Sequence, residues 1–267
     1  FNEYQYVQRF LDATKADMFF ANKLIFVEGV AEELLLPVFA RYLNKNLTDE
    51  QVLVVNMGGR YFSHFLKLFD TNNPYTINKK IVCLTDIDPC RKKKNEPDEK
   101  YESCYPYEYN IDTANNDYMH HADAEVAQYA VHPNIRFYRQ DVTYGKTLEY
   151  DIMRENPDCE LLLTDSVSNT SEIKAMMAER NLNAMIGELR KSDANTRIKT
   201  SIDASNWTDE EKRKAVLASR YLNSVSKGSN ALELNVALMA NLEKPEAERI
   251  EFHVPQYIAD ALTWLLS

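Results

Sequence analysis

The sequence predicts an α/β fold: a parallel sheet covered by helices, followed by a smaller all-helical domain. Three observations predict it. Over the first 86 residues, short runs that are apolar throughout alternate with stretches of helical period, as in strands buried on both faces. A turn signal follows each run: Gly29 after LIFVE, Gly58-Gly59 after VLVVNM, and DIDP after KIVCLT. From Ser166 onward the apolar spacing is helical throughout.

Taken in order, residues 1–20 read as an amphipathic helix, with Tyr4, Val7, Phe10 and Leu11 at helical spacing. Residues 24–28 read as a buried strand and residues 31–44 as a helix in which Pro37 removes one backbone donor. A second strand (52–56), a second helix (60–70) and a third strand (80–86) follow. Residues 89–117, from RKKKNEPDEK through YESCYPYEYN, are polar, charged and Tyr-rich, and read as a loop insertion. A short helix (118–130), a further strand (135–142) and a helix opened by KTLEYDIMREN complete the first domain, residues 1–164. The second domain, residues 165–267, carries helices over 168–190, 208–226, 229–242 and 255–266, with Thr208 as N-cap and Glu211 three residues on.

Composition limits the function. Of 267 residues, 45% are hydrophobic and 27% charged, as in an ordinary globular protein. No apolar run is long enough to span a membrane, and the first residues lack the pattern of a signal peptide. The four cysteines, at 83, 90, 104 and 159, form no CxxC pair. The expectation is therefore a reduced, cytoplasmic setting. The net charge of −10 lies mostly in the first 164 residues, which argues against simple electrostatic capture of a polyanion. It leaves room for an enzyme whose acids are neutralised by cations.

The acids are placed to do that. Ligands of open parallel sheets sit beyond the carboxyl ends of the strands, which is where Glu28, Gly58, Gly59, Asp86 and Asp88 fall. Asp86 and Asp88 are two apart, so on an extended chain they point to one side. Two carboxylates held together repel, and a hard divalent cation such as Mg²⁺ removes the conflict. Glu28 completes the same site, and Glu32, one turn into the next helix, faces back toward it; Glu33 points about 100° away, toward solvent. The alternative is that these are ordinary turn acids and that Glu28 caps a helix. Gly58 and Gly59 read equally as a phosphate approach or as a tight turn.

LIFVEGVAEELLLP, VNMGGRYFSHFLKLF and CLTDIDP together resemble the Toprim domain of OLD-family (overcoming lysogenization defect) nucleases. Family patterns VEG-x-x-E-E-x-L-L-P and T-D-x-D-P stand here as Glu28 to Pro37 and Thr85 to Pro89. KTLEYDI resembles the family's T-L-E-x-D-L segment, which implies that Glu149 joins the metal-site acids. VSKGSNALEL resembles its K-G-x-x-A-x-x-L segment, which implies Lys227 as the catalytic lysine. The resemblance runs from about residue 17 to the closing FHVPQYIADALTWL.

It implies a DNA endonuclease, nicking or cutting with two divalent ions, Mg²⁺ or Mn²⁺, in a phage-defence setting. Glu28, Asp86 and Asp88 would hold one ion; Glu32 and Glu149 would hold or share the second. The family also carries an N-terminal ABC-type ATPase region, and homo-oligomers are expected of the full-length proteins. Nothing here resembles GxxxxGK[ST], and the chain begins without Met, so it reads as a piece of a longer protein. Arg91 and Lys92, at the start of RKKK, read either as DNA contacts or as a solvated charge run. Tyr105, Tyr107 and Tyr109 read as edge packing or as base-stacking residues. Cys90, Cys104, His120 and His121 lack the spacing of a zinc knuckle. Rival readings are a primase- or topoisomerase-like Toprim phosphotransferase and a non-catalytic nucleic-acid-binding module.

Overall fold

A computed structural model describes residues 16–96 and 98–267. The helix expected over residues 1–20 lies outside these except for its end, where Ala16–Phe19 form a single 3-10 turn. By its contacts the chain divides into two compact units. One comprises residues 1–85, 123–139 and 256–267; the other comprises 86–122 and 140–255. The sequence reading draws one linear boundary near residue 164, whereas each unit is assembled from separated segments.

The first unit holds a four-stranded parallel sheet in the order β2-β1-β3-β7. Its strands are β1 (Lys23–Val27), β2 (Val52–Asn56), β3 (Lys80–Leu84) and β7 (Ile135–Tyr138). β1 and β3 are central, and in each the last four residues are all buried. Successive side chains of a strand point to opposite faces, so both faces are covered, as continuous apolarity predicted. The outer strands β2 and β7 bury fewer positions. Leu24, Phe26, Ile81, Cys83, Ile135 and Phe137 alternate onto one face, where they join Phe62, Phe65, Leu66 and Phe69 in a single apolar cluster.

Between β1 and β2 runs α1 (Val30–Tyr42), which continues through Pro37; that residue has no N–H to give to the carbonyl one turn back. The second helix is shorter than expected: α2 is Phe62–Leu66, followed by a hydrogen-bonded turn that returns Phe69 to the core. α3 (Asp123–Gln128) precedes and packs on β7. The last helix, α10 (Gln256–Leu266), packs against β3 and β7, with Trp264 beneath the cations of Lys80 and Arg136.

In the second unit the region expected to be a loop insertion forms a three-stranded antiparallel sheet, β5-β4-β6. Its strands are β4 (Pro89–Lys93), β5 (Glu102–Ser103) and β6 (Asn116–His120). The helix expected from residue 118 thus starts later, because Tyr118 and Met119 pair with Arg91 and Cys90. The helices are α4 (Leu148–Glu155), α5 (Thr170–Ala178), α6 (Leu182–Glu188), α7 (Asp193–Ala204), α8 (Asp209–Leu222) and α9 (Lys227–Glu243). The helix expected over 168–190 is two helices, and α7 was not expected. Thr208 does cap α8, accepting from the Glu211 N–H.

Two ion pairs with buried carboxylates fasten this unit, one to the buried Arg220 and one to the half-exposed Arg197. Glu172 accepts both arms of Arg220, at 2.8 and 3.0 Å. Glu108 receives the Arg197 guanidinium at 2.9 and 2.6 Å and the Ser201 hydroxyl at 2.7 Å. Burial pushes the Glu108 carboxyl up, but Arg197, Ser201 and the Tyr105 N–H outweigh it and hold it below the ordinary range. A depressed carboxyl contributes stability above its unfolded value, about 4.3, and loses it as pH falls through the lower folded value. Glu108→Gln should therefore cost about 1.5–3 kcal/mol at pH 7, a difference that shrinks as the pH is lowered below about 4. Urea unfolding across pH reads it; a constant difference down to pH 2.5 would refute the assignment.

Candidate metal centre

Candidate acids stand on both units. In the first unit, β1 ends at Val27 and delivers Glu28 half-buried at the carboxyl edge of the sheet. The β1–β3 register pairs Phe26 with Cys83, which brings Glu28 level with Thr85, two residues on in each strand. The buried Thr85 hydroxyl accordingly donates to Glu28 Oε1. Arg60 Nε lies 3.4 Å from the same carboxylate.

Gly29 then caps α1 with an extended backbone. Its lack of a side chain matters, because a Cβ there would come within 3.3 Å of Glu32 Oε2. Glu32 Oε2 thus lies back against Gly29, at the start of the helix. Glu33 departs from expectation. It is half-buried rather than solvated, and accepts from Asn56 Nδ2 at 3.1 Å.

Gly58 and Gly59 form the turn after β2 with φ of +69° and +129°, values that side-chain-bearing residues rarely adopt. Asn56 Oδ1 accepts from the Gly58 N–H at 2.9 Å, and the Gly59 N–H donates to the Glu28 carbonyl at 2.8 Å. The turn requirement accounts for both glycines, and it lays this backbone against the strand end that carries Glu28.

In the second unit, Asp86 and Asp88 follow β3 without the extended backbone expected of them, since Asp88 has φ of +41°. Asp86 and Asp88 are half-buried while Ile87 between them is fully buried. Asp86 Oδ1 accepts from Gln140 Nε2 at 2.6 Å and from the Leu148 N–H at 3.1 Å. Gln140, itself buried, also accepts from the Ile87 N–H at 2.8 Å, so one amide holds both residues of the turn. The Leu148 N–H opens α4, where the helix dipole favours a negative charge.

Thr147 caps α4, and its hydroxyl donates to Glu149 Oε2 at 3.0 Å. Glu149 is buried one residue beyond the N–H that binds Asp86. Asp88 sits in the left-handed region, φ +41°, with its N–H on the Lys146 carbonyl. Burial pushes the Lys146 ammonium below the ordinary lysine range, with Asp88 acting in the opposite direction.

Lys227 begins α9, but its side chain lies outside the described residues. Arg91 and Lys92 lie on β4, half-exposed, with Lys92 over the Tyr101 ring. Tyr105 and Tyr107 are buried and stacked on each other at 5.1 Å, so packing and not base stacking occupies them. Cys90 Sγ lies 3.1 Å from His121 Nε2, while His120 stacks on Tyr109.

The candidate donors are all carboxylate oxygens, the chemistry that suits Mg²⁺ or Mn²⁺ and not a soft metal. Glu28 already faces a cation, the Arg60 guanidinium. Among the described residues, no group of three or more His, Cys, Asp or Glu side chains is gathered closely enough to hold an ion. Thr85, Arg60 and Gln140 are partners that sequence reasoning missed as site residues. Thr85 stood in the TDIDP segment; Gln140 and Arg60 carried no signal of their own.

Comparison with known proteins gives three findings. The family described as overcoming lysogenization defect protein-like, TOPRIM domain, matches residues 19–88. No curated protein matches. Among solved structures, the C-terminal region of the Burkholderia pseudomallei OLD protein is 20% identical with a TM-score of 0.43, over 92% of this chain and 98% of that one. The C-terminal region of the Xanthomonas campestris pv. campestris OLD protein is also 20% identical, with a TM-score of 0.43 over 94% of both chains. Residues 19–88, which carry β1, α1, β2, α2 and β3, thus match the model of the OLD-like Toprim domain.

Proposed function

We propose that the protein is a divalent-metal-dependent DNA endonuclease that nicks or cuts by two-metal phosphodiester hydrolysis. One observation carries the reading: within an OLD-like Toprim match, Glu28 stands one residue past β1, and Asp86 and Asp88 two and four residues past β3, its parallel neighbour. Glu28, Asp86 and Asp88 would hold one ion, and Glu32 and Glu149 would hold or share the other. Two such ions lower the pKa of an attacking water and neutralise charge on the phosphate.

The chain's own residues do the rest. The Thr85 hydroxyl fixes the Glu28 carboxylate, and Gln140 fixes Asp86. Thr147 both caps α4 and orients Glu149. Lys227 would stabilise charge that grows on the phosphate or the leaving oxygen. Gly58, Gly59, Arg91 and Lys92 would contact the DNA backbone.

Millimolar Mn²⁺ should raise the melting temperature by roughly 3–8 °C, since a ligand of the native state stabilises it, and Asp88→Asn should remove the rise. A wild-type protein that melts at one temperature with and without Mn²⁺ sinks the proposed metal centre. In a plasmid-nicking assay with Mn²⁺, Asp86→Asn should lose on the order of 100-fold or more in rate, while its retained oxygen still accepts from Leu148. Undiminished nicking by a folded variant argues against Asp86 as a ligand. Lys227→Ala should lower turnover far more than DNA affinity, because its partner charge appears only in the transition state; equal losses in both contradict that role.

A further inference from the structure

The second unit holds a cation that the fold leaves without a counter-charge. Lys146 is 7% exposed, and a buried ammonium is costly unless it is paired. Its Nζ donates to the Ser103 hydroxyl at 2.6 Å and to the Cys104 carbonyl at 2.8 Å. Among the described residues it forms no ion pair, and the third of its N–H donors is unspent. Asp88 attracts it from beyond ion-pair distance, while Arg197 repels it. Both cations stand over one ring: Lys146 Nζ is 5.5 Å and Arg197 Cζ 5.1 Å from the centre of Tyr105.

A cavity of about 200 Å³ opens between these groups, lined by Ser103 of β5, Lys146 before α4, Arg197 of α7 and Asn223 at the end of α8. That is smaller than the roughly 300–1,000 Å³ of sites for drug-sized ligands. None of the described residues lining it is acidic. Its acceptors are engaged: the Ser103 carbonyl by Arg197 Nη2 at 3.2 Å, and Asn223 Oδ1 by the Tyr105 hydroxyl at 3.3 Å. Donors remain. Arg197 spends Nε and Nη2 on Glu108 and Ser103 and keeps both N–H groups of Nη1. The Ser103 hydroxyl and Asn223 Nδ2 keep one each.

We propose that this cavity binds the phosphate group of a monoester, whose three terminal oxygens meet the unspent donors of Lys146, Arg197, Ser103 and Asn223. Charge-assisted bonds from lysine and arginine are the usual means of holding such a group. Lys146 and Cys104 are buried, whereas Ser103, Arg197 and Asn223 are exposed, so the group enters end-on. A diester inside a strand has two free oxygens and chain on both sides, and fits less well. The inference rests on the nuclease reading only in naming the end of a DNA strand as the source; inorganic phosphate offers the same chemistry. The Lys146 carbonyl accepts from the Asp88 N–H at 3.2 Å, which sets a strand end held here beside the acids of the second unit.

The test uses the whole chain in EDTA, where metal-dependent cutting is off. Anisotropy is measured with ten-nucleotide strands that end in a 5′-phosphate, a 3′-phosphate or a hydroxyl and are labelled at the opposite end. Wild type should bind one phosphate-ended strand roughly tenfold more tightly than its hydroxyl-ended counterpart. Lys146→Met removes the buried charge, and Asn223→Asp places a negative charge at the exposed mouth; each should bind both strands to within about twofold. Asn223→Asp should melt at the wild-type temperature, and it decides the matter where Lys146→Met does not fold. Inorganic phosphate, titrated against chloride at equal ionic strength, separates the sources. A melting temperature that rises with phosphate in wild type and not in Asn223→Asp, with no preference among strand ends, assigns the cavity to the free ion. Equal binding of all strands with no phosphate-specific rise overturns the proposal, as does an end preference that survives in Asn223→Asp. An end preference with no Mn²⁺-dependent nicking removes the nuclease reading alone; nicking with neither end preference nor phosphate binding removes this inference alone.

Discussion

The constraint on which the site depends is the double-sided burial of β1 and β3. Every residue from Leu24 to Val27 and from Ile81 to Leu84 is buried, so neither strand can carry a charge along its length without leaving it unpaired in an apolar layer. The first place a carboxylate can stand is the carboxyl end. The parallel register then decides which groups meet there: Glu28 falls beside Thr85, and Asp86 is the next residue in the chain. The same edge forces the turn after β2, where two glycines with positive φ set a backbone N–H on the Glu28 carbonyl. Gly29 has no Cβ to obstruct the Glu32 carboxylate.

This is why the first unit's sheet was legible in the sequence and much of the second unit was not. A strand buried on both faces announces itself, because every position must be apolar. The short antiparallel strands β4 and β6 pair as PCRKK against NDYMH, in which neither apolar runs nor clean alternation survive. Their pairing is chosen by long-range contact, which local composition does not encode. Tyr105 and Tyr107 could be read as packing or as base-stacking residues for a related reason. Each tyrosine spends its hydroxyl inside the protein, Tyr105 on Asn223 and Tyr107 on Ser219, and those partners lie more than a hundred residues away. Among site residues, the acids could be read from spacing. Gln140 and Arg60 could not, since each acts only through what the fold brings to it.

The second unit holds its charges differently. Glu108 and Glu172 lie nearly out of water, each satisfied by an arginine and by further donors. The fully buried pair, Glu172 with Arg220, adds little net stability, since desolvation offsets most of the attraction, but removing one partner is costly. Both pairs are better understood as fixing which helices meet. Lys146 is the contrast. Its ammonium is buried against the Ser103 hydroxyl and the Cys104 carbonyl, at 2.6 and 2.8 Å, with neutral acceptors in place of a carboxylate. It is three residues from Glu149 in the chain, and its carbonyl holds the Asp88 N–H.

The partners that hold the acids also limit how tightly they can bind anything else. Glu28 is held by a hydroxyl and faces a guanidinium, and Asp86 is held by an amide and a helix N–H. An incoming cation must compete with donors already in place, so its affinity is reduced by the strength of those bonds. Arg60 is the informative case, because its Nε lies 3.4 Å from Glu28 and both groups are half-buried. A cation at Glu28 would have to share that carboxylate with the Arg60 guanidinium. An ion pair of two half-buried partners, weak in itself, is suited to that sharing because neither group is costly to release.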